Sequence, residues 1–311
     1  MELLHKITKA YSLRKKEVTR YKLQAFRLIH GVADGFPGLT IEVYPQAFHG
    51  IIKEKQYFKQ IPFFESALKN IAQELWQNDT VDFYWWDYSG RQVRAIHKLP
   101  LQRYEIFENN LKYEIHLGED NHTGLFLDQR NNRRLIQSLA SDKKVLNLFC
   151  YTGSFSIAAL AGGASNAVSV DLSKKTLEWA KRNIILNNLD LNRSQLIAFD
   201  AVSCLKRLEK KNELFDLIIC DPPTFSRSKN GFFSMEKNLE DLLGACLSIL
   251  SSKGKLLFSL NAQKMNFRDF SLRVENVLRE EKLQKPTYLG PSFDFPLYQK
   301  EPHLKACLIG K

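Results

Sequence analysis

The spacing of apolar residues between positions 144 and 260 alternates between two patterns. Segments with apolar residues three and four positions apart predict helices. Between them lie short, nearly continuous apolar runs that predict buried strands: 144–149, 167–170, 196–199, 215–220 and 255–260. Strand–helix alternation of this kind is typical of a doubly wound parallel sheet. We therefore expect an α/β fold, with an antiparallel finish formed by runs at 286–289 and 305–309.

The first hundred residues follow another pattern. Residues 1–22 place apolar residues at helical intervals among seven Lys and Arg, which predicts a basic amphipathic helix. That helix fits either contact with RNA or packing on the protein body. Strands are predicted at 26–31, 39–44, 47–53, 81–86 and 92–96, with a helix at 63–76. We expect a small basic α+β domain for RNA or substrate recognition at 1–103 and a second domain at 104–311. A hairpin around Asn109-Asn110 is expected to bridge to the second domain.

One strand–turn–helix–strand unit has the order of a nucleotide-binding unit. Its turn contains the single glycine Gly153, and its second strand ends in Asp171, eighteen positions later (171 − 153). A carboxylate there can accept hydrogen bonds from both ribose hydroxyls. Dinucleotide sites need G-x-G-x-x-G for the pyrophosphate, and that pattern is absent. S-adenosylmethionine is thus the expected cofactor, with a nicotinamide oxidoreductase and a unit that binds nothing as alternatives.

The ends of the predicted strands carry further polar residues. Asn147, Asp171, Asp200 and Asp221 all fall there, where ligands bind in open α/β sheets. Asp200 can meet an adenine amino group, cap a helix, or do both.

The motif Asp221-Pro222-Pro223-Thr224-Phe225 follows a buried strand. Two prolines fix their φ angles and stiffen the loop, so the Asp221 carboxylate can be held as an acceptor for a nucleobase amino group. Phe225 can stack a base, a contact worth ~1–3 kcal/mol in single-stranded complexes. Alternatively, the loop has no role in binding a base: the prolines only stiffen it, and Phe225 packs into the protein interior.

Composition narrows the class of protein. The chain has 311 residues, 44% hydrophobic and 25% charged, with a formal net charge of +11, which favours a polyanionic partner. No apolar run reaches membrane-spanning length, and no secretory signal is recognisable. Five cysteines without C-x-x-C spacing and scattered histidines predict a cytoplasmic protein with reduced thiols, no membrane association and no metal.

Four motifs together resemble the class I methyltransferase domain of bacterial 23S rRNA methyltransferases: 123–130, 147–153, 170–171 and 221–226. The resemblance covers about residues 104–311 and implies a Rossmann-like sheet, S-adenosylmethionine as cofactor, and 23S rRNA or its large-subunit precursor as partner. Residues 27–29 and 34–41 are similar to the small domain that precedes the catalytic domain in the cytosine C5 branch. The RNA-binding PUA module that often precedes that domain is expected to be missing, because too few residues come before Ala25.

The sequence motifs and the family resemblance together give one set of candidate site residues. The candidate catalytic residues are Asp221, Pro222, Pro223 and Phe225. The candidate cofactor-binding residues are Asp128, Gln129, Arg130, Asn147, Phe149, Tyr151, Thr152, Gly153, Asp171, Leu172, Ser173, Asn183, Asp200, Ala201 and Asp221.

The chain resembles two branches of these methyltransferases, which methylate cytosine C5 or guanine N7. The two branches differ in whether the reaction needs a covalent nucleophile. Methylation of C5 needs a thiolate that adds to C6, and the cytosine branch carries its cysteine after the strand that ends here in Leu260-Asn261. Cys220 lies at a buried strand end, where a packed thiol is expected. Guanine N7 already has a lone pair. We therefore predict guanine N7 methylation, with cytosine C5 methylation or a non-catalytic RNA-binding ribosome assembly factor as alternatives.

Overall fold

The computed structural model describes residues 2–90, 92–93, 102–119, 121–228, 231–262 and 264–311. The chain divides into two compact units. The first contains Met1–Asp128 and Ser292–Tyr298, and the second contains Gln129–Pro291 and Gln299–Lys311. The functional boundary predicted after residue 103 stays a prediction, and the compact units divide later, after Asp128.

The first unit is built on a five-stranded sheet whose strands follow chain order among the described residues. They are β1 (Phe26–His30), β2 (Leu39–Tyr44), β3 (Ala47–Ile52), β4 (Asp82–Asp87) and β5 (Gln92–Val93). Strands β3 and β4 pair in parallel, because α2 (Ile61–Trp76) crosses between them. The last predicted strand, 92–96, forms at Gln92–Val93, and residues 94–96 lie outside the described residues.

A separate hairpin follows in the same unit, formed by β6 (Gln102–Glu108) and β7 (Leu111–Leu117). Its turn residues Asn109 and Asn110 have φ of 52° and 62°, the left-handed region that two-residue hairpin turns require and Asn tolerates. The hairpin predicted around these two residues is therefore confirmed.

The predicted basic helix forms as α1 (Glu2–Tyr21) and packs on the first unit. Ile7, Tyr11 and Val18 enter the hydrophobic core of that unit. Arg14, 1% exposed, donates to both carboxylate oxygens of Asp34 at 3.0 and 2.7 Å. Packing on the protein body is thus one role of this helix, and contact with RNA stays a prediction.

The second unit contains the predicted α/β sheet, with seven strands among the described residues in the order β10-β9-β8-β11-β14-β16-β15. The strands are β8 (Lys144–Leu148), β9 (Asn166–Asp171), β10 (Ser194–Ala198), β11 (Phe215–Cys220), β14 (Leu250–Leu260), β15 (Thr287–Leu289) and β16 (Lys305–Gly310). Strands β8 to β11 and β14 pair in parallel, whereas β16 is antiparallel to β14. The predicted fold class and its antiparallel finish are confirmed.

Helices separate these strands along the chain: α3 (Arg130–Leu139), α4 (Ser154–Ala161), α5 (Lys174–Leu186), α6 (Ala201–Lys210), α7 (Met235–Ser248) and α8 (Phe267–Glu280). Strands β12 (Phe225–Ser228) and β13 (Gly231–Ser234) form a small hairpin before α7. In the part of the chain that the structure describes, no helix combines the length and apolar character that crossing a bilayer requires.

Alternate residues of the central strands enter different hydrophobic clusters. Leu146 and Ile218 belong to one cluster, whereas Val145 and Leu217 belong to another. The strands of a parallel sheet that is covered on both faces appear in the sequence as nearly continuous apolar runs, and the strands of this sheet show that pattern. Ligand-binding residues of such a sheet are therefore confined to the carboxyl ends of its strands.

Candidate functional site

The turn after β8 has an unusual backbone. Phe149, Tyr151 and Gly153 have φ of 56°, 50° and 77°, although left-handed conformations are uncommon for residues with a side chain. The Cys150 N–H donates to the Val170 carbonyl at 3.0 Å, and the Gly153 N–H donates to the Cys150 carbonyl at 2.8 Å. Strained residues of this kind cluster at functional sites, and this turn lies where the strand order of the sheet reverses, beside β8 and β11.

Asp171 closes β9 and holds this turn in place. Its Oδ2 accepts from the Tyr151 N–H at 2.9 Å. Its Oδ1 accepts from the Ser173 N–H at 2.9 Å and the Thr176 hydroxyl at 3.2 Å. A carboxylate has about four acceptor positions, so Oδ2 can take a further donor. The predicted contact of Asp171 with ribose hydroxyls stays a prediction.

Gly153 is required by the packing of the turn against a helix. A Cβ at this position would lie 2.8 Å from the Cβ of Ala180 in α5, and φ is +77°. The described neighbours show that α5 fills the space beside its Cα, a role that glycine also has in nucleotide-binding units.

We expect Gly153→Ala to lower the free energy of unfolding by about 1–3 kcal/mol, because both the left-handed φ and the clash oppose a methyl group. Urea denaturation of the purified variant measures this loss. Gly244→Ala is the matched control, since a Cβ on Gly244 in α7 meets nothing within 4 Å. Equal stability of Gly153→Ala and the parent protein would contradict the packing argument.

Two predicted site residues lie in the interior of the second unit. Asn147 is 1% exposed and donates to the Ser156 hydroxyl at 2.9 Å, which lies 2.7 Å from the Ser169 hydroxyl. Asn183 is fully buried and donates to the carbonyl of buried Thr152 at 3.3 Å. Ser156 and Ser169, two serines within otherwise apolar segments, were missed by the sequence analysis. The cofactor contacts predicted for Asn147, Thr152 and Asn183 stay predictions.

The next two strand ends begin helices. Asp200 caps α6, accepting from the Ser203 N–H at 2.9 Å and its hydroxyl at 2.7 Å, so its capping role is confirmed. Buried Ala201 opens that helix. Ser173 caps α5 by accepting from the Thr176 N–H at 3.2 Å. Between Asp171 and Ser173, Leu172 is 49% exposed and offers an apolar surface beside the carboxylate.

Asp221, at the end of β11, belongs to a chain of polar side chains. Its Oδ1 accepts from the Ser259 hydroxyl at 2.6 Å. The Gln129 amide donates to that hydroxyl at 3.2 Å and accepts from Asn132 at 2.6 Å. Burial raises the pKa of Asp221, whereas the bonds to Ser259 and Gln129 and the charge of Arg133 oppose this rise. Ser259 was missed because it reaches Asp221 only through the pairing of β14 with β11. Asn132, which bonds Gln129 from three positions later in α3, was also missed.

The loop after Asp221 is tied to the loop after β14. Pro222 is buried and Pro223 is exposed. The Thr224 hydroxyl donates to the Asn261 carbonyl at 2.6 Å, and the Asn261 amide lies 3.1 Å from His303 Nε2. Phe225 opens β12, and its predicted stacking role stays a prediction. Asp128, Gln129 and Arg130 are buried where α3 begins, and their predicted cofactor contacts are likewise untested.

The thiols are not available as nucleophiles. All five cysteines are buried. Burial raises the pKa of Cys150, Cys204, Cys220 and Cys307, and the Asp171 charge raises that of Cys150 further. A neutral, buried thiol is a poor nucleophile.

The donors and acceptors at these strand ends suit an adenosyl ligand without phosphates. Residues 147–153 contain no cationic side chain, so the turn offers no counter-charge to a pyrophosphate. Partly buried Asp171 and exposed Leu172 combine an acceptor for hydroxyl groups with an apolar surface. Within the described residues, no group of three His, Cys, Asp or Glu side chains is arranged to hold a metal ion.

Comparison with known proteins yields consistent matches. The family model described as S-adenosylmethionine-dependent methyltransferase matches residues 87–309. A Bacillus subtilis (strain 168) protein named "Putative ribosomal RNA large subunit methyltransferase YwbD" is 34% identical over 89% of this chain and 71% of its own length. "Ribosomal RNA large subunit methyltransferase I" of Aeromonas salmonicida (strain A449) is 34% identical over 82% of this chain and 65% of its own length. The chain thus spans about two thirds of the length of these relatives.

The structure of the chain is also similar to solved structures. The crystal structure of SMU.776, "a putative methyltransferase complexed with SAH", superposes with a TM-score of 0.87 at 28% identity. The superposition covers 99% of this chain and 80% of that one.

Proposed function

We propose that this chain, which belongs to the S-adenosylmethionine-dependent methyltransferase family, methylates a base of large-subunit ribosomal RNA. The family fixes S-adenosylmethionine as the methyl donor. The RNA substrate is supported by the names of the relatives and by the net charge of +11, which suits a polyanion. The family match over residues 87–309 is the observation that carries the proposal.

Some side chains at the strand ends would bind the cofactor, and others would bind the target base. When bound, S-adenosylmethionine supplies an electrophilic methyl group. Asp171 would accept a ribose hydroxyl through Oδ2, and Leu172 would cover an apolar face of the adenine. Asp221, fixed by Ser259 and followed by two prolines, would accept from an amino group of the target base. Catalysis then consists of orienting the base and excluding water from it.

Within this function we propose guanine N7 as the methylated atom. N7 carries a lone pair in the neutral base and needs neither a covalent nucleophile nor a general base. Cytosine C5 needs a thiolate, and the described structure buries all five cysteines. Asn261 stands where the cytosine branch has its cysteine, and its amide lies beside His303.

We expect the folded protein to resist alkylation by iodoacetamide at pH 8, because burial raises the pKa of four of its thiols and shields all five. Intact-mass spectrometry should show no adduct on the native protein and five adducts in denaturant. One adduct that forms rapidly on the native protein would identify an activated cysteine and revive cytosine C5.

The deciding experiment is mass spectrometry of rRNA nucleosides from a deletion strain, before and after incubation with the purified enzyme and S-adenosylmethionine. We expect one modified guanosine to be absent in the deletion strain and restored by the enzyme, with the methyl group on N7. Restoration of 5-methylcytidine or of N2-methylguanosine would overturn the N7 proposal. Absence of any restored methyl group, in free rRNA and in ribosomal particles, would overturn the proposed function.

A further inference from the structure

Among the exposed aromatic rings of the first unit that have a cation beside them are Tyr21 and Phe107. Tyr21, the last residue of α1, is 50% exposed, and the Arg20 guanidinium carbon lies 5.3 Å from its ring centroid. Phe107 in β6 is 47% exposed, and Lys112 Nζ lies 5.4 Å from its ring centroid. Both separations are within the range of cation–π contacts.

A hydrogen bond joins these two aromatic sites. The Phe107 N–H donates to the Gln24 side-chain oxygen at 2.8 Å, and Gln24 follows Tyr21 by three residues. Three residues span at most about 10 Å, so the end of α1 lies next to the turn end of the hairpin. Lys22, exposed and with a left-handed φ of 48°, ends the helix between them. We call Arg20, Tyr21, Lys22, Phe107 and Lys112 the aromatic patch.

The chemistry of the aromatic patch fits single-stranded nucleic acid. Such ligands bind where aromatic rings that stack bases alternate with cations that contact phosphates. Phe107 lies opposite Lys112 in the hairpin. On the same face, the next pair farther from the turn is Glu105 opposite Glu114. These carboxylates limit the basic surface to the end of the hairpin that carries the Asn109-Asn110 turn. Two rings and three cations suit a short stretch of chain and not a duplex, whose bases are stacked on each other.

We propose that the aromatic patch binds a single-stranded segment of the RNA substrate. Bases stack on Tyr21 and Phe107, while Arg20, Lys22 and Lys112 contact the phosphates between them. The inference rests on the proposed function for the identity of the polymer, and it extends that function by assigning an RNA-binding surface to the first unit. No part of the candidate methyl-transfer site is involved.

Fluorescence anisotropy of a labelled single-stranded RNA of about 12 nucleotides, a length in the range of single-strand binding sites, tests this surface. The full chain is titrated without S-adenosylmethionine. We expect Tyr21→Ala and Phe107→Leu each to raise Kd at least about fivefold, the effect of losing one stacked base. Phe107→Tyr should bind like the parent protein because it keeps the ring. Lys22→Gln should reduce the slope of log K against log salt by about 0.7, the value for one phosphate contact on a single strand.

Phe63→Ala is the control, because Phe63 in α2 is also a half-exposed ring, 39% exposed, outside the aromatic patch. It should leave Kd unchanged. Circular dichroism melts identify any variant whose fold has changed, and Phe107→Tyr keeps the test valid if Phe107→Leu is unstable. Unchanged Kd for Tyr21→Ala together with Phe107→Leu, or an equal loss for Phe63→Ala, would overturn the proposal. The surface would then be solvated or a docking site for a protein.

Methyl transfer, assayed separately on the parent protein, distinguishes the two proposals. If RNA binding depends on the rings but no base is methylated, the aromatic patch stands and the proposed function fails. If a base is methylated but RNA binding does not depend on the two rings, the proposed function stands and the proposal for the aromatic patch is wrong.

Discussion

Replacement of Asp171 by alanine should raise the Kd for S-adenosylmethionine at least about 100-fold. Hydrogen bonds to charged groups contribute about 1.5–3 kcal/mol each, and Oδ2 of this carboxylate has one acceptor position left for a ribose hydroxyl. The same change removes the acceptor for the Tyr151 N–H at 2.9 Å. The left-handed backbone at Tyr151 would lose its support, which weakens the site further. Isothermal titration calorimetry with S-adenosylmethionine measures the effect.

Two further variants test whether the loss of cofactor affinity is specific to the Asp171 carboxylate. Asp190→Ala is the matched control, because Asp190 also accepts from a backbone N–H, that of Asn192 at 2.8 Å, but lies before β10. It should leave the Kd unchanged. Asp171→Asn keeps the shape but lets an amide face the Tyr151 and Ser173 N–H groups, so it should also bind weakly. An Asp171→Ala protein that binds the cofactor like the parent would exclude this turn as the cofactor site.

The sheet of the second unit could be predicted because its strands are buried on both faces. A strand in that environment carries apolar residues at nearly every position, so runs such as 215–220 stand out from the helices around them. The residues after such runs must lie at one edge of the sheet when all strands are parallel. The sequence alone therefore predicts Asp171, Asp200 and Asp221 at strand ends.

The contacts of those residues could not be predicted, because they depend on which strands become neighbours. Ser259 reaches Asp221 only because β14 lies beside β11. Asp294 accepts from the Arg27 N–H at 2.9 Å although 267 positions separate them. The spacing of apolar residues carries no information on such pairs. The same limit applies to Gly153, whose partner Ala180 belongs to another element.

Replacement of Asp221 by alanine should lower the rate of methyl transfer at least about 100-fold, the effect of losing one preorganised hydrogen-bonding group at a reacting centre. The Kd for S-adenosylmethionine should change much less, because the turn and Asp171 stay in place. Single-turnover transfer of labelled methyl groups to rRNA measures the rate, and calorimetry measures the Kd. A non-catalytic assembly factor would tolerate the change, so the same variant separates the two functions.

The pH dependence of transfer tests whether the ionised carboxylate is the active form. Burial raises the pKa of Asp221, so the rate should fall with decreasing pH earlier than for an ordinary aspartate. The Ser259 hydroxyl favours the ionised form by donating to it. Ser259→Ala should therefore move the acid limb of the profile to higher pH, whereas Asp241→Ala, a change of an exposed carboxylate in α7, should leave it in place. An unshifted profile in Ser259→Ala would mean that Asp221 does not act through its charge. Its carboxylate would then only hold the proline loop against β14.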